Sequence, residues 1–213
     1  MPSLAITGNL GGGKSTALGL IHTLLNATGY PAIRFSADEE NRRLLEENRE
    51  VQSLIRNAFG EDCFTTAGSV DREKLFHLIT TDPEAKSSLE QILHPRLESL
   101  WKPLAGEYHS MEGKFFLAEI PLLFEKGLDQ FFNLSLVVAC SESTRRERVE
   151  KNRSLTPQKT TAWLALQQDQ EKKISKAEHV LWNDGSMDSL NRQISLFLST
   201  FCNPLQPPKN SSR

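Results

Sequence analysis

Cysteine is scarce in this chain of 213 residues, and its three copies, Cys63, Cys140 and Cys202, show no C-x-x-C spacing. An odd, scattered set argues against a disulfide framework or a cysteine zinc site and suits a reducing compartment. Long apolar runs are missing as well: none approaches the roughly 18 residues of a membrane helix, so no membrane partner is expected. Charge of one sign is not in excess, because 25 Lys and Arg stand against 27 Asp and Glu, for a formal net charge of −2. That balance removes any global pull toward nucleic acid or an anionic bilayer. A basic cluster does occur at Arg145, Arg146, Arg148, Lys151 and Arg153, but it lacks the interleaved aromatics of a nucleic-acid surface. The chain enters an apolar strand with no leader-like stretch before it, and no internal repeat is found. The expectation is a cytoplasmic protein, a monomer or weak homo-oligomer, with no nucleic-acid partner.

What is present is a glycine-rich stretch, Gly8-Asn9-Leu10-Gly11-Gly12-Gly13-Lys14-Ser15-Thr16, which fits G-x-x-x-x-G-K-[ST] at each fixed position. It follows the apolar run Leu4-Ala5-Ile6 and precedes a helical pattern of Ala17, Leu18, Leu20, Ile21, Leu24 and Leu25. Strand, loop and helix in that order are the setting of a phosphate-binding loop. Glycines let successive backbone N–H groups turn toward phosphate oxygens, and the following helix adds its positive end. In such a loop Lys14 reaches the terminal phosphates and the Ser15 hydroxyl ligates Mg²⁺, so ATP and Mg²⁺ are the expected ligands.

Taken in order, residues 3–7 read as a buried strand, 14–28 as a helix and 32–36 as a second strand. Residues 37–43 read as a loop entering a helix, with Asp38 either a carboxylate near a bound γ-phosphate or a helix N-cap. Residues 39–110 are mostly helical, which is too long for a simple crossover and suggests an inserted lobe that covers substrate. Further buried strands are expected at 114–120, 134–140 and 179–182, and a final helix at 187–201. The charged segment 143–176 is either a solvated helical face or a lid over the triphosphate. The tail 203–213, with three prolines, is expected to be disordered. The predicted organisation is one domain over 1–202: a core of 1–38, 112–142 and 177–202, an acceptor lobe of about 39–111 and a lid of about 143–176.

Beyond the loop, an ordered set of segments resembles the dephospho-coenzyme A kinase family. Ser36-Ala37-Asp38-Glu39-Glu40-Asn41-Arg42 is similar to the family's D-A-D-x-x-x-R. Phe59, Gly60, Gly68, Val70, Asp71, Arg72 and Leu75 resemble its F-G…G-x-(L/V)-D-R-x-x-L, and Pro83-Glu84-Ala85-Lys86 with Leu89 and Leu93-His94-Pro95 its P-E-x-K…L…I-x-H-P. Pro121 to Glu125 spell P-L-L-F-E, and residues 177–186 resemble the closing A-D-x-V-I-x-N-x-G-S. The resemblance implies an α/β, P-loop NTPase-type three-layer fold with a parallel central sheet, a helical acceptor-binding insertion and a small helical lid. It implies transfer of phosphate from ATP to the ribose 3′-hydroxyl of dephospho-coenzyme A, giving coenzyme A and ADP, the last step of coenzyme A synthesis. By resemblance, Gly11, Gly12, Gly13, Lys14, Ser15 and Thr16 bind ATP, and Asn183 and Gly185 lie where adenine passes. Lys14 and Asp38 would be catalytic, Asp38 as partner of the acceptor hydroxyl. Arg42, His94, Pro121 and Leu122 would serve the acceptor, with His94 equally readable as a helix-end residue. Arg148 and Arg153 would serve the lid, and Glu119 would hold a Mg²⁺-bound water or be a satisfied strand-end carboxylate.

The sequence departs from the family pattern at Ser36, which replaces the first Asp, at Asn152, which aligns with a lid arginine, and at Gln170, where many members carry a basic residue. Two other functions remain open at this point: another small-molecule P-loop kinase, such as a nucleoside monophosphate type, and a nucleotide-binding relative with weak or no catalysis.

Overall fold

Five short apolar runs form the framework of the computed structural model, which describes residues 3–153, 160, 161, 164 and 169–201. They are β1 (Ser3–Thr7), β2 (Ala32–Ser36), β3 (Phe115–Glu119), β4 (Leu134–Ala139) and β5 (His179–Trp182). The strands form one sheet in the order β2-β3-β1-β4-β5, and every pairing is parallel. Strand by strand the side chains alternate between two buried faces, which is why the runs are continuously apolar rather than alternating with polar residues. Leu4, Ile6, Phe115, Leu117, Leu134, Leu136 and Val138 share one core with Leu18, Ile21 and Leu25 of α1 (Lys14–Ala27). Leu190, Ile194, Phe197 and Leu198 of the last helix join the same cluster. Ala5, Phe116, Ala118 and Val137 are fully buried on the other face, where Phe116 stacks on Phe132, with ring centroids 6.3 Å apart. Buried Ser135 on that face takes its partner from Glu178, whose Oε2 accepts from the Ser135 N–H at 2.7 Å and from its hydroxyl.

The remaining helices are α2 (Ala37–Glu47), α3 (Arg49–Phe59), α4 (Arg72–Thr81), α5 (Pro83–Tyr108), α6 (Glu142–Arg153), α7 (Gln170–Ile174) and α8 (Met187–Phe201). The chain divides into two compact units, one of Met1–Ser36 with Leu104–Arg213 and one of Ala37–Pro103. The second unit is helical. Its ends are set by local chemistry: Asn48 caps α3 through Val51 N at 3.0 Å, Asp71 caps α4 through Lys74 N at 3.1 Å, and Gly60 closes α3 at φ 80°. Val51, Ile55, Leu75, Leu89, Leu93, Leu97 and Trp101 are among its buried side chains.

Two local expectations are corrected. There is no loop at 37–43: α2 starts at Ala37, directly after β2, so Asp38 is the second residue of the helix and not its N-cap. Asp38, Glu39 and Glu40 place three acidic side chains in the first turn, where the helix dipole favours them. Nor does a helix end at His94, because α5 runs through Pro95 and Pro103. Proline withholds the N–H that would serve Gln91 O, and one residue on, Arg96 Nη1 donates to Ile92 O at 2.7 Å. The tail 203–213, residues 154–159 and most of 162–168 in the predicted lid, and Cys202 lie outside the described residues.

The bend from β1 into the glycine stretch depends on one missing side chain. Gly8 has φ +145°, and a Cβ there would stand 2.3 Å from Val138 O in the neighbouring strand. Gly8→Ala must therefore push β4 away or distort the turn. Denaturant unfolding should show a loss of about 2 kcal/mol or more; an unchanged midpoint would show that the turn tolerates a side chain.

Candidate functional site

The carboxyl ends of β1, β3, β4 and β5 collect most of the residues singled out from the sequence. β1 ends at Thr7, and the glycine loop turns from it into α1. Inside the loop Gly12 N donates to Asn9 O at 3.1 Å, and Ala17 N to Gly13 O at 3.0 Å. Lys14 is largely buried, with Nζ 3.4 Å from Asn9 O and 3.9 Å from Glu119 Oε1. Ser15 donates through Oγ to Glu119 Oε2 at 2.9 Å, whereas Thr16 faces solvent on α1.

Glu119 is the last residue of β3 and 1% exposed. Its register partners are Ile6 of β1 and Ser36 of β2, so the parallel sheet brings it beside the loop. A carboxylate at such a depth requires charge and hydrogen-bond partners, and Lys14 and Ser15 are among them. The Ser15 and Glu119 oxygens are hard donors 2.9 Å apart. A hydroxyl and a carboxylate are oxygen donors of the kind Mg²⁺ takes, so the pair would fit an ion held by Ser15 with Glu119 on one of its waters. Among the described residues no cluster of three His, Cys, Asp or Glu side chains could hold a metal alone.

The loop after β5 closes on the glycines. Asn183 is buried, takes its place through Asn183 N to Ala139 O at 2.7 Å, and donates from Nδ2 to Gly12 O at 2.9 Å. A Cβ on Gly13 would lie 2.3 Å from that amide nitrogen, so Gly13 and Asn183 fit only as a pair. Gly185 stands in the same turn, exposed, against Ser189 at the start of α8. Arg148 of α6 reaches Gly11 O with Nη1 at 3.4 Å. Nearby, Arg145 Nε and Nη1 are buried with no hydrogen-bond partner. Arg153 closes α6, and its side chain lies outside the described residues.

Pro121, next after Ile120 at the end of β3, accepts at its carbonyl from Thr7 Oγ1 at 3.2 Å and from Lys173 Nζ at 2.9 Å. Leu122 follows in the turn and accepts from Lys126 N at 3.1 Å. Asp38, Arg42 and His94 belong to the helical unit. Asp38 and Arg42 are exposed and four residues apart on α2, hence on one face, and His94 is half-buried on α5.

Three structural roles were not foreseen from the sequence. Gln170 brackets the end of β4, with Oε1 3.4 Å from Cys140 N and Nε2 3.0 Å from Cys140 O; an amide does both jobs, and a basic side chain could only donate. Lys173, noted only as a basic neighbour of Gln170, is buried rather than solvent-facing. Asp184 accepts from Ser141 N at 2.9 Å and from Trp182 Nε1 at 2.7 Å. Cys140 itself is no nucleophile: burial pushes its thiol up, and the neighbouring Arg148 charge offsets this only in part.

A parallel sheet with a glycine phosphate loop, a buried strand-end carboxylate facing its Lys-Ser and an asparagine on its backbone defines a P-loop kinase-type nucleotide-binding protein. The family model for dephospho-CoA kinase matches residues 3–189, and the chain belongs to that family of phosphotransferases. It is 34% identical over 196 residues to a dephospho-CoA kinase of Thermus thermophilus, covering 92% of this chain and 90% of the relative. It is 31% identical over 200 residues to one from Methylococcus capsulatus, covering 91% and 96%. The crystal structure of TT1252 from Thermus thermophilus has a TM-score of 0.70 at 33% identity, covering 94% of this chain and 97% of that one.

The Asp184 contacts carry a pH signature. Burial pushes the Asp184 carboxyl up, but the Ser141 N–H, the Thr144 and Ser141 hydroxyls and the Trp182 indole outweigh it and hold the group below 3.8. A folded-state value below the ordinary one stabilises the fold above pH 3.8, and this is lost as the pH falls through the lowered value. Asp184→Asn should lower the melting temperature at pH 7, and the gap from wild type should close in acid. A gap that does not change with pH would assign the effect to shape rather than charge.

Proposed function

We propose that this protein transfers the γ-phosphoryl group of ATP to the ribose 3′-hydroxyl of dephospho-coenzyme A, releasing coenzyme A and ADP. The observation that carries the reading is the Lys14–Ser15–Glu119 cluster under the glycine loop, in a chain matched by the family model over residues 3–189. The exact acceptor hydroxyl and the roles of single residues are parts of this proposal.

Phosphoryl transfer is chiefly positioning and charge neutralisation. The loop N–H groups and the N-terminal end of α1 hold the β- and γ-phosphates, and Lys14 swings from Asn9 O onto their oxygens. Ser15 ligates Mg²⁺ directly and Glu119 through water; when bound, the ion neutralises charge on the phosphates. Thr16 and Gly11 to Gly13 complete the phosphate cradle, while Asn183 and Gly185 border the adenine. Asp38 accepts the proton of the acceptor hydroxyl and Arg42, on the same face of α2, holds acceptor phosphates with its planar guanidinium. His94, Pro121 and Leu122 are assigned to the acceptor. The helical unit Ala37–Pro103 is the acceptor lobe, and residues of about 143–176 are the lid, with Arg148 and Arg153 as the cations that act on the phosphates. Ser36 keeps a hydroxyl where the family pattern has an aspartate, leaving Asp38 as the acceptor carboxylate. A cytoplasmic monomer or weak homo-oligomer is part of this proposal, and no described helix is long and apolar enough to cross a membrane.

A coupled ADP-release assay with Mg-ATP, comparing dephospho-coenzyme A with adenosine, AMP and pantetheine phosphate, tests the reading. Turnover is expected with dephospho-coenzyme A alone; turnover only with another acceptor would replace the substrate, and ATP binding without turnover would leave a binding protein. Lys14→Ala should lower kcat by about 10³-fold through loss of charge on the transferring phosphate. Asp38→Asn should lower kcat by about 10²-fold or more with the KM for ATP unchanged. If it weakens ATP binding instead, Asp38 belongs to the metal side.

A further inference from the structure

Lys173 is the most buried lysine described, 3% exposed, and it sits on the five-residue helix α7. Its Nζ donates to Pro121 O at 2.9 Å and pairs with Glu125 Oε1 at 2.9 Å. Glu125 Oε2 is buried with no hydrogen-bond partner, so Lys173 carries the compensation of that carboxylate. Residues 121–127 form a turn with internal bonds such as Lys126 N to Leu122 O at 3.1 Å. Its fastening to the strand ends comes from side chains, Thr7 and Lys173, that converge on one carbonyl. Thr7 immediately precedes the glycine loop. Three residues before Lys173, Gln170 fixes the other end of α7 on the Cys140 backbone. A buried ion pair adds little stability over apolar packing of the same volume, which directs attention to the geometry that this one fixes.

We propose that Lys173 is a positioning residue for the acceptor: through Pro121 O and Glu125 it sets the turn 121–125 at a fixed place beside the glycine loop. Lys173 then acts on the acceptor without touching the phosphates, unlike a lid cation. The inference rests on the reading of Pro121 and Leu122 as acceptor-side residues.

The test uses full-length Lys173→Met, Glu125→Gln and the double variant, with KM for both substrates, equilibrium binding of dephospho-coenzyme A and thermal melting. Lys173→Met should raise the KM and Kd for dephospho-coenzyme A about tenfold or more, as loss of a charge-assisted hydrogen bond implies. The KM for ATP should stay within about twofold. Glu125→Gln, which keeps the bond to Pro121 O, should have a smaller effect. The double variant removes both charges, so it should regain melting temperature relative to Lys173→Met without regaining acceptor affinity. Recovery of both together would overturn the proposal in favour of a purely structural pair, as would an unchanged acceptor KM and Kd in Lys173→Met. A wild-type protein that neither binds nor phosphorylates dephospho-coenzyme A would overturn the acceptor reading and this inference with it. Normal wild-type turnover with an insensitive Lys173→Met would overturn this inference alone.

Discussion

A carboxylate buried at the end of a central strand governs the layout of this protein. Moving Glu119 out of water costs several kcal/mol unless charge and hydrogen bonds answer it, and the residues that answer are the Lys-Ser pair that opens α1. Strand β3 therefore cannot be placed independently of the glycine loop. The register Ile6↔Glu119 sets the height at which lysine, serine and carboxylate meet. On the proposed function, the three groups that satisfy one another in the protein alone are those that a nucleotide and its cation engage, so binding would exchange partners around a cluster that is already assembled.

A second pattern surrounds this cluster. Side chains from the later part of the chain donate to backbone carbonyls at the strand ends: Arg148 to Gly11, Asn183 to Gly12, Lys173 to Pro121 and Gln170 to Cys140. Turns held only by their own peptide groups are soft, and these donors fasten them to helices and to the β5 turn.

The strands, the two flanking helices α1 and α8 and the loop were legible because each has a strong local signal: continuous apolar runs, helical periodicity, and glycines with no substitute. The start of α2 was not, because three acidic residues after a strand look like a polar turn until the dipole of the helix they begin is counted. His94 before Pro95 suggested a helix end, and no local rule reveals that α5 continues through both of its prolines. Gln170 and Lys173 stood out only as departure and neighbour within a charged run. Their partners, Cys140, Pro121 and Glu125, lie far away in sequence, and long-range pairing of a side chain with a backbone carbonyl leaves no periodicity to read.

The strand order has a consequence for how the chain is made. β1 lies between β3 and β4, yet Ser3 and its partner Asn133 are separated by 130 residues. At about 5–20 residues per second on the ribosome, Leu4, Ala5 and Ile6 wait roughly 6–26 seconds before both neighbours have been synthesised. Until β3 and then β4 emerge, the first strand of the sheet is an apolar segment without its strand partners, the condition that exposes a growing chain to misassembly.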